Sequence, residues 1–206
     1  MLRVGVLVSG QGTNLQALIG AFAGPEAPVR IVLVGCNRAA APAIGRAEVA
    51  GVPVCLADRA ALPRRAERQR VLLHALQAAN ADLVVLAGFD EILGREFVAA
   101  YAERMLNTHP SLLPAFGGTM HAVAQALDAG VKVTGCTIHL VTDDLDGGPI
   151  LAQHCVAVRD DDTVASLHAR IQEHEHRLLP EVVRAFAEGR VRIEGRRARV
   201  VASSDA

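Results

Sequence analysis

Aromatic side chains are nearly missing from this chain. Its 206 residues hold no tryptophan, one tyrosine and five phenylalanines, 3% in all. A surface that stacks nucleobases needs several such rings, so the composition argues against a base-stacking role. Charge of one sign is also missing. The net charge of -1 at pH 7 gives no electrostatic ground for a polyanionic partner such as nucleic acid. Cysteine is sparse. Cys36, Cys55, Cys136 and Cys155 are scattered with no C-x-x-C pair, which argues against a metal site or a disulfide framework and for buried thiols in a reducing compartment. Hydrophobic residues reach 51%, yet no apolar run has the length of a membrane span. The opening "MLRVGVLV" is too short for a signal peptide and has no small-residue cleavage site after it. No internal repeat marks a solenoid or propeller. A soluble cytoplasmic protein is expected, with no membrane partner.

What is present is a regular alternation. "LRVGVLVS" (2–9) is a β-branched apolar run, and "TNLQALIGAF" (13–22) has helical spacing at Leu15, Leu18, Ile19 and Phe22. A strand at 29–37, a helix at 41–51, a short strand in "VPVCL", a charged helix at 63–80 and a strand at 81–89 follow. The spacing predicts a parallel sheet with crossover helices, and "RMLNTH" (104–109) would be its next strand. The pattern then changes. A helix at 121–130 precedes strands at 131–141 and 149–158, and the short "TDDLDGG" between them suits a hairpin. The longest helical stretch is 163–189, with Thr163 as N-cap and Pro180 expected to kink it or start a second helix. A hairpin about Gly195 (190–201) and a loose tail, "ASSDA", complete the chain. The expected class is α/β: a mostly parallel, doubly wound, Rossmann-like sheet with a C-terminal antiparallel hairpin and a long C-terminal helix. The length suits one domain, with a phosphate-binding half (1–100), a catalytic half (101–189) and the terminal hairpin and tail (190–206).

Polar residues gather at three strand ends, where open α/β sheets bind ligands. "SGQGTN" (9–14) is a glycine-rich turn from strand into helix. Backbone N–H groups at a helix start favour an anion. The turn is neither G-x-G-x-x-G, since Leu15 stands at the last glycine, nor a Walker loop. A tight turn capped by Thr13 or Asn14 and a phosphate cradle both fit. In "NTHPSLLP", Asn107 and His109 stand two apart on a strand, so they share a face. An amide can donate to a developing oxyanion, and an imidazole can move a proton near neutral pH. No G-x-S-x-G elbow or neighbouring cysteine offers a nucleophile, so direct transfer fits better than covalent catalysis. In "VTDDLDGGP", Asp143 and Asp144 read as a solvated hairpin tip. Asp146, before two glycines and a proline, could orient His109 and hold a water.

These three places in this order resemble the glycinamide ribonucleotide formyltransferase family, folate-dependent enzymes of purine synthesis. The resemblance runs from "VLVSGQGTNLQALI" to the helix ending near Gly189, and "NTHPSLLP" with "CTIHLVTDDLDGGPILAQ" is its specific part. It implies that Gly12, Thr13 and Asn14 bind the ribonucleotide phosphate, and that Asn107, His109 and Asp146 are catalytic. Glu175 would meet the glycinamide end, with Glu173 as a rival. The folate would bind along Asp90, Glu91, Ile92 and Leu93 of "AGFDEIL", along Asn107, and along Thr142, Asp143 and Asp146, with Arg65 meeting its glutamate. The implied co-substrate is 10-formyltetrahydrofolate, with no metal, and the implied assembly is a monomer or homodimer. The implied chemistry is attack of the nucleotide's primary amine on the formyl carbon.

Two departures stand out. Asp90 and Glu91 occupy positions where the family commonly has an apolar residue followed by a basic or neutral one. "AFGGTMHAV" is one residue longer than the usual loop, with Gly117 where proline is common. Related formyl-folate enzymes are rival readings. Methionyl-tRNA formyltransferase is expected to be longer, and formyltetrahydrofolate hydrolase to carry an N-terminal regulatory domain. A sugar-nucleotide formyltransferase fits the glycine turn less well. A non-catalytic nucleotide-binding module would not need Asn107, His109 and Asp146 to converge.

Overall fold

The structure is a computed structural model, and it describes residues 1–202. Residues 203–206 of the expected loose tail lie outside the described residues. The chain forms two compact units, one of residues 1–106 and one from residue 107 onward.

In the first unit, β1 (Leu2–Val8), β2 (Val29–Cys36), β3 (Val54–Leu56) and β4 (Leu83–Leu86) lie parallel in the order β3-β2-β1-β4. Their connections are α1 (Thr13–Ala21), α2 (Ala43–Val49) and α3 (Arg65–Ala78). The central strand is apolar at consecutive positions because it is covered on both faces: Val6, Leu7 and Val8 are all fully buried. Leu15 and Leu18 of α1 and Leu72 and Leu76 of α3 supply the cover. Each such leucine contributes about 1.5–3 kcal/mol by leaving water. The expected strand at 81–89 contracts to four residues, and the helix expected from 63 begins at Arg65. A short helix that the periodicity did not reveal, α4 (Arg95–Ala100), buries Phe97 and Val98.

β5 (Met105–His109) carries the chain from the first unit into the second. There, α5 (Ala122–Asp128) leads to β6 (Val133–Leu140) and β7 (Ile150–Ala157), which pair antiparallel as the short loop required. The long helix α6 (Val164–Ala187) packs on them through Leu167 and Ile171, against Val123, Cys136 and Val156. Thr163 caps α6 in a reciprocal pair with Ser166. Pro180 does not start a second helix, because α6 is continuous through it. An interior proline costs about 3 kcal/mol, and buried Leu179, Val182 and Val183 beside it hold the helix together. β8 (Val191–Glu194) and β9 (Arg197–Val200) form the expected final hairpin. The expected class therefore holds: a mostly parallel sheet with helices, then a two-stranded antiparallel sheet and a long C-terminal helix.

Candidate active site

Asn107 and His109 lie on β5, and Asp146 lies in the loop between β6 and β7. The structure brings all three together. Asp146 uses one carboxylate oxygen for each side: Oδ1 is 3.4 Å from the Asn107 amide nitrogen, and Oδ2 is 3.4 Å from His109 Nδ1. His109 is only 4% exposed. Unlike a core histidine, it has acceptors at both ring nitrogens. Nε2 donates to the Phe116 carbonyl over 2.9 Å, so Nδ1 carries a proton only in the cationic ring, and that proton meets a carboxylate. Asp146 Oδ2 also accepts the Gly118 N–H over 2.8 Å. Burial works against charge on Asp146. Contacts with His139 and Gly118 and the charge of His109 outweigh it and hold the carboxyl below its ordinary range.

His139 joins this group, and its role was not foreseen. It is 2% exposed on β6. Its Nδ1 donates to the Leu140 carbonyl over 2.9 Å, and its Nε2 lies 3.1 Å from the Asn107 amide nitrogen and 3.5 Å from Asp146 Oδ1, so that Nε2 accepts from the amide in the neutral ring and donates to the carboxylate in the cationic one. That contact fixes which end of Asn107 is the donor end. The same alternation that pairs Asn107 with His109 sets His139 beside Thr137 on one face of β6, and this was the available signal. Thr137 anchors the "SLLP" turn: it donates to Ser111 and accepts from the Leu113 N–H and from Gln153.

The other residues of this unit differ in setting. Glu175 on α6 is 3% exposed, while Glu173 is exposed. Burial first, and then the Glu175 charge, push the neighbouring Cys136 thiol up to about 12. Thr142, Asp143 and Asp144 are exposed at the hairpin tip, where the Gly147 N–H closes a turn onto the Asp144 carbonyl.

In the first unit, Gly12 rather than Thr13 or Asn14 is the N-cap of α1. No side chain caps that end and no acidic residue sits in its first turn. Gly12 has φ +71°, and a Cβ there would lie 2.6 Å from the Ala43 Cβ. Only glycine fits both conditions. The turn is held from α2: the Ala43 N–H donates to Gly10, and Arg46 to the Gln11 carbonyl.

Asp90 and Glu91 are committed to arginines. Arg38 and Arg59 pair with Asp90, and Arg68 pairs with Glu91 at 2.8 Å. Gln69 also donates to Glu91. Burial disfavours the Asp90 charge, but Ser9, Asn37, Arg38 and Arg59 outweigh it and lower its pKa. The two acids of the unusual "DEI" are thus neutralised within their own unit. Ile92 is largely exposed and Leu93 partly so, and Arg65 is exposed at the start of α3. Among the described residues, no cluster of three or more metal-ligating side chains occurs, and no helix is long and apolar enough to cross a membrane.

Comparison with known proteins agrees on one family. Residues 2–183 match the formyl transferase family model. A phosphoribosylglycinamide formyltransferase of Mycobacterium tuberculosis is 47% identical over 196 residues, covering 95% of this chain and 90% of that one. The bovine trifunctional purine biosynthetic protein adenosine-3 is 43% identical over 191 residues; the match covers 93% of this chain and 19% of the much longer relative. A crystal structure of glycinamide ribonucleotide transformylase 1 from Symbiobacterium toebii superposes with a TM-score of 0.93 at 48% identity, over 98% of this chain and 95% of that one.

Proposed function

This chain belongs to the formyl transferase family, and we propose on that premise that it transfers a formyl group from 10-formyltetrahydrofolate to the primary amine of glycinamide ribonucleotide. The reaction is a step of de novo purine synthesis. The observation that carries the reading is the Asp146 carboxylate, with one oxygen toward Asn107 and the other toward His109.

The residues divide the work. The folate supplies an activated formyl carbon. As the amine adds to it, the formyl oxygen gains negative charge. Asn107, with one amide N–H held by His139, donates the other to that oxygen in place of its 3.4 Å contact with Asp146. Protonated His109 supplies the second stabilising charge, and Asp146 supports the imidazolium. The amine must then lose a proton and the folate nitrogen must gain one. His109 carries that proton, with a water held by Asp146. Two substrates held in one geometry avoid the entropy of a chance encounter, which contributes much of the rate.

Gly12, Thr13 and Asn14 bind the nucleotide phosphate at the N-terminal turn of α1, where the helix dipole favours an anion. Glu175 takes the glycinamide end. Arg65, the backbone around Asp90 to Leu93, and Thr142 and Asp143 hold the folate. The partners are these small molecules, in the cytoplasm, with no metal and no nucleic acid, and the enzyme acts as a monomer or homodimer.

The test is a two-substrate turnover assay. Loss of the formyl donor should require glycinamide ribonucleotide and yield its N-formyl product in equal amount. Consumption of the donor at the same rate without the nucleotide would sink the transferase reading and point to hydrolysis.

A further inference from the structure

The C-terminal hairpin has no part in the reaction above, yet its charges are arranged in a specific way. A cavity of about 460 Å³ lies between the hairpin and the start of β7. It is lined by Arg192, Arg196, Arg197 and Arg199, by Glu194, and by Gly148. Four arginines thus face one carboxylate. The volume falls within the roughly 300–1,000 Å³ usual for small-molecule sites.

The strand register makes the imbalance local. Arg192 is paired directly with Arg199 across the hairpin, and Glu194 with Arg197. Alternation puts these four side chains on one face. Like charges directly opposite on a two-stranded ribbon destabilise it. No described carboxylate is shared between Arg192 and Arg199. Glu194 pairs with Arg199 at 3.1 Å, while Arg192 donates only to the carbonyls of Gly189 and Val191. The Arg197 side chain makes no hydrogen bond or ion pair with any described residue. Arg196 gives one donor to the Gly147 carbonyl at 3.3 Å, so the hairpin is tied to the loop that carries Asp146. Gly148 offers a firm wall, since a Cβ there would lie 1.9 Å from the Leu140 carbonyl oxygen.

We propose that this pocket binds a small linear oligoanion, whose successive charges pair with Arg192, Arg197 and Arg199. Guanidinium groups suit it because each presents a planar fork that matches carboxylate or phosphate oxygens. An anion between Arg192 and Arg199 removes the repulsion built into the ribbon. Successive carboxylates on a short chain and successive phosphates present the same chemistry, and the experiment separates the two.

The full-length protein is titrated with tri-γ-glutamate in one arm and sodium tripolyphosphate in the other, while backbone amide shifts are followed by NMR. Saturable shifts at Gly148, Gly195 and Ala198 are expected, weakening as salt rises. The probe with the higher affinity at these amides identifies the source of the charge. Arg192→Gln with Arg197→Gln should weaken binding of that probe at least tenfold, and Gly12→Val should leave the hairpin shifts unchanged. If neither probe produces saturable hairpin shifts, or tripolyphosphate perturbs only Gly12 to Asn14 and tri-γ-glutamate none of the hairpin amides, the proposal is overturned. The wild-type map decides this even if the double variant fails to fold. A folded double variant that binds with undiminished affinity overturns it as well.

Discussion

The Gly118 N–H donates to the Asp146 carboxylate over 2.8 Å. Two residues earlier, the Phe116 carbonyl receives His109 Nε2–H. A single short turn therefore holds the carboxylate and the imidazole from their outer sides, and the two face each other across 3.4 Å. The "AFGG" loop is a structural part of the pair.

His109→Ala should lower kcat by on the order of 100- to 10,000-fold, with little change in ligand binding, because its interaction strengthens only as charge develops. Asp146→Asn keeps the shape but removes the charge, and should also lower kcat. If the two act as a unit, the double variant is barely slower than the slower single variant. Steady-state rates of the three variants check this, and multiplying effects would remove the pair from the mechanism.

Gly12→Val should raise KM for the nucleotide by roughly tenfold or more while KM for the folate stays near wild type. The valine meets both a left-handed backbone and Ala43. Equal changes in both constants, measured with each substrate varied in turn, would make the turn a scaffold only.

Arg68 and Glu91 are 8% and 5% exposed in their side chains. Removing one partner strands a buried charge, so Arg68→Ala should cost about 3–5 kcal/mol in urea unfolding. Arg68→Met with Glu91→Leu should recover most of that loss. A double variant as unstable as Arg68→Ala would show that the pair contributes more than mutual neutralisation.

The Asp162 carboxyl is lowered to about 2, by the Arg159 N–H first and then by Arg170 and Ser166. Its folded pKa lies below the ordinary carboxyl value of 3.8, so the unfolded chain binds more protons between those values. The contribution is therefore full at neutral pH and disappears as pH falls from about 4 to about 2. Asp162→Asn should lower Tm at pH 7 and narrow the gap to wild type in that acid window. A constant gap across the range would rule out this linkage.

Much of the site could be read from neighbouring residues. Strand alternation set Asn107 and His109 on one face, and the short loop after residue 141 required a hairpin that ends in Asp146. Thr163 was legible as a cap because capping is local. What escaped depends on distant partners. The arginines that neutralise Asp90 and Glu91 lie 23 to 52 residues away, and no local pattern announces them. α4 has only six residues, too few to display a helical period. Pro180 did not start a second helix for the opposite reason: its local preference is strong, and tertiary burial on either side keeps α6 continuous. His139 obeyed the alternation rule, but its partner came from another strand.

Asp146 sits at φ +52°, a left-handed backbone that costs a side chain about 1–2 kcal/mol and that glycine adopts freely. Selection for a tougher fold and selection for turnover thus pull against each other at this position. Glycine there relaxes the loop and abolishes the charge beside His109. Screens of this protein for heat tolerance alone will drift toward stable, inactive chains at residue 146, and the aspartate persists only where the reaction itself is selected.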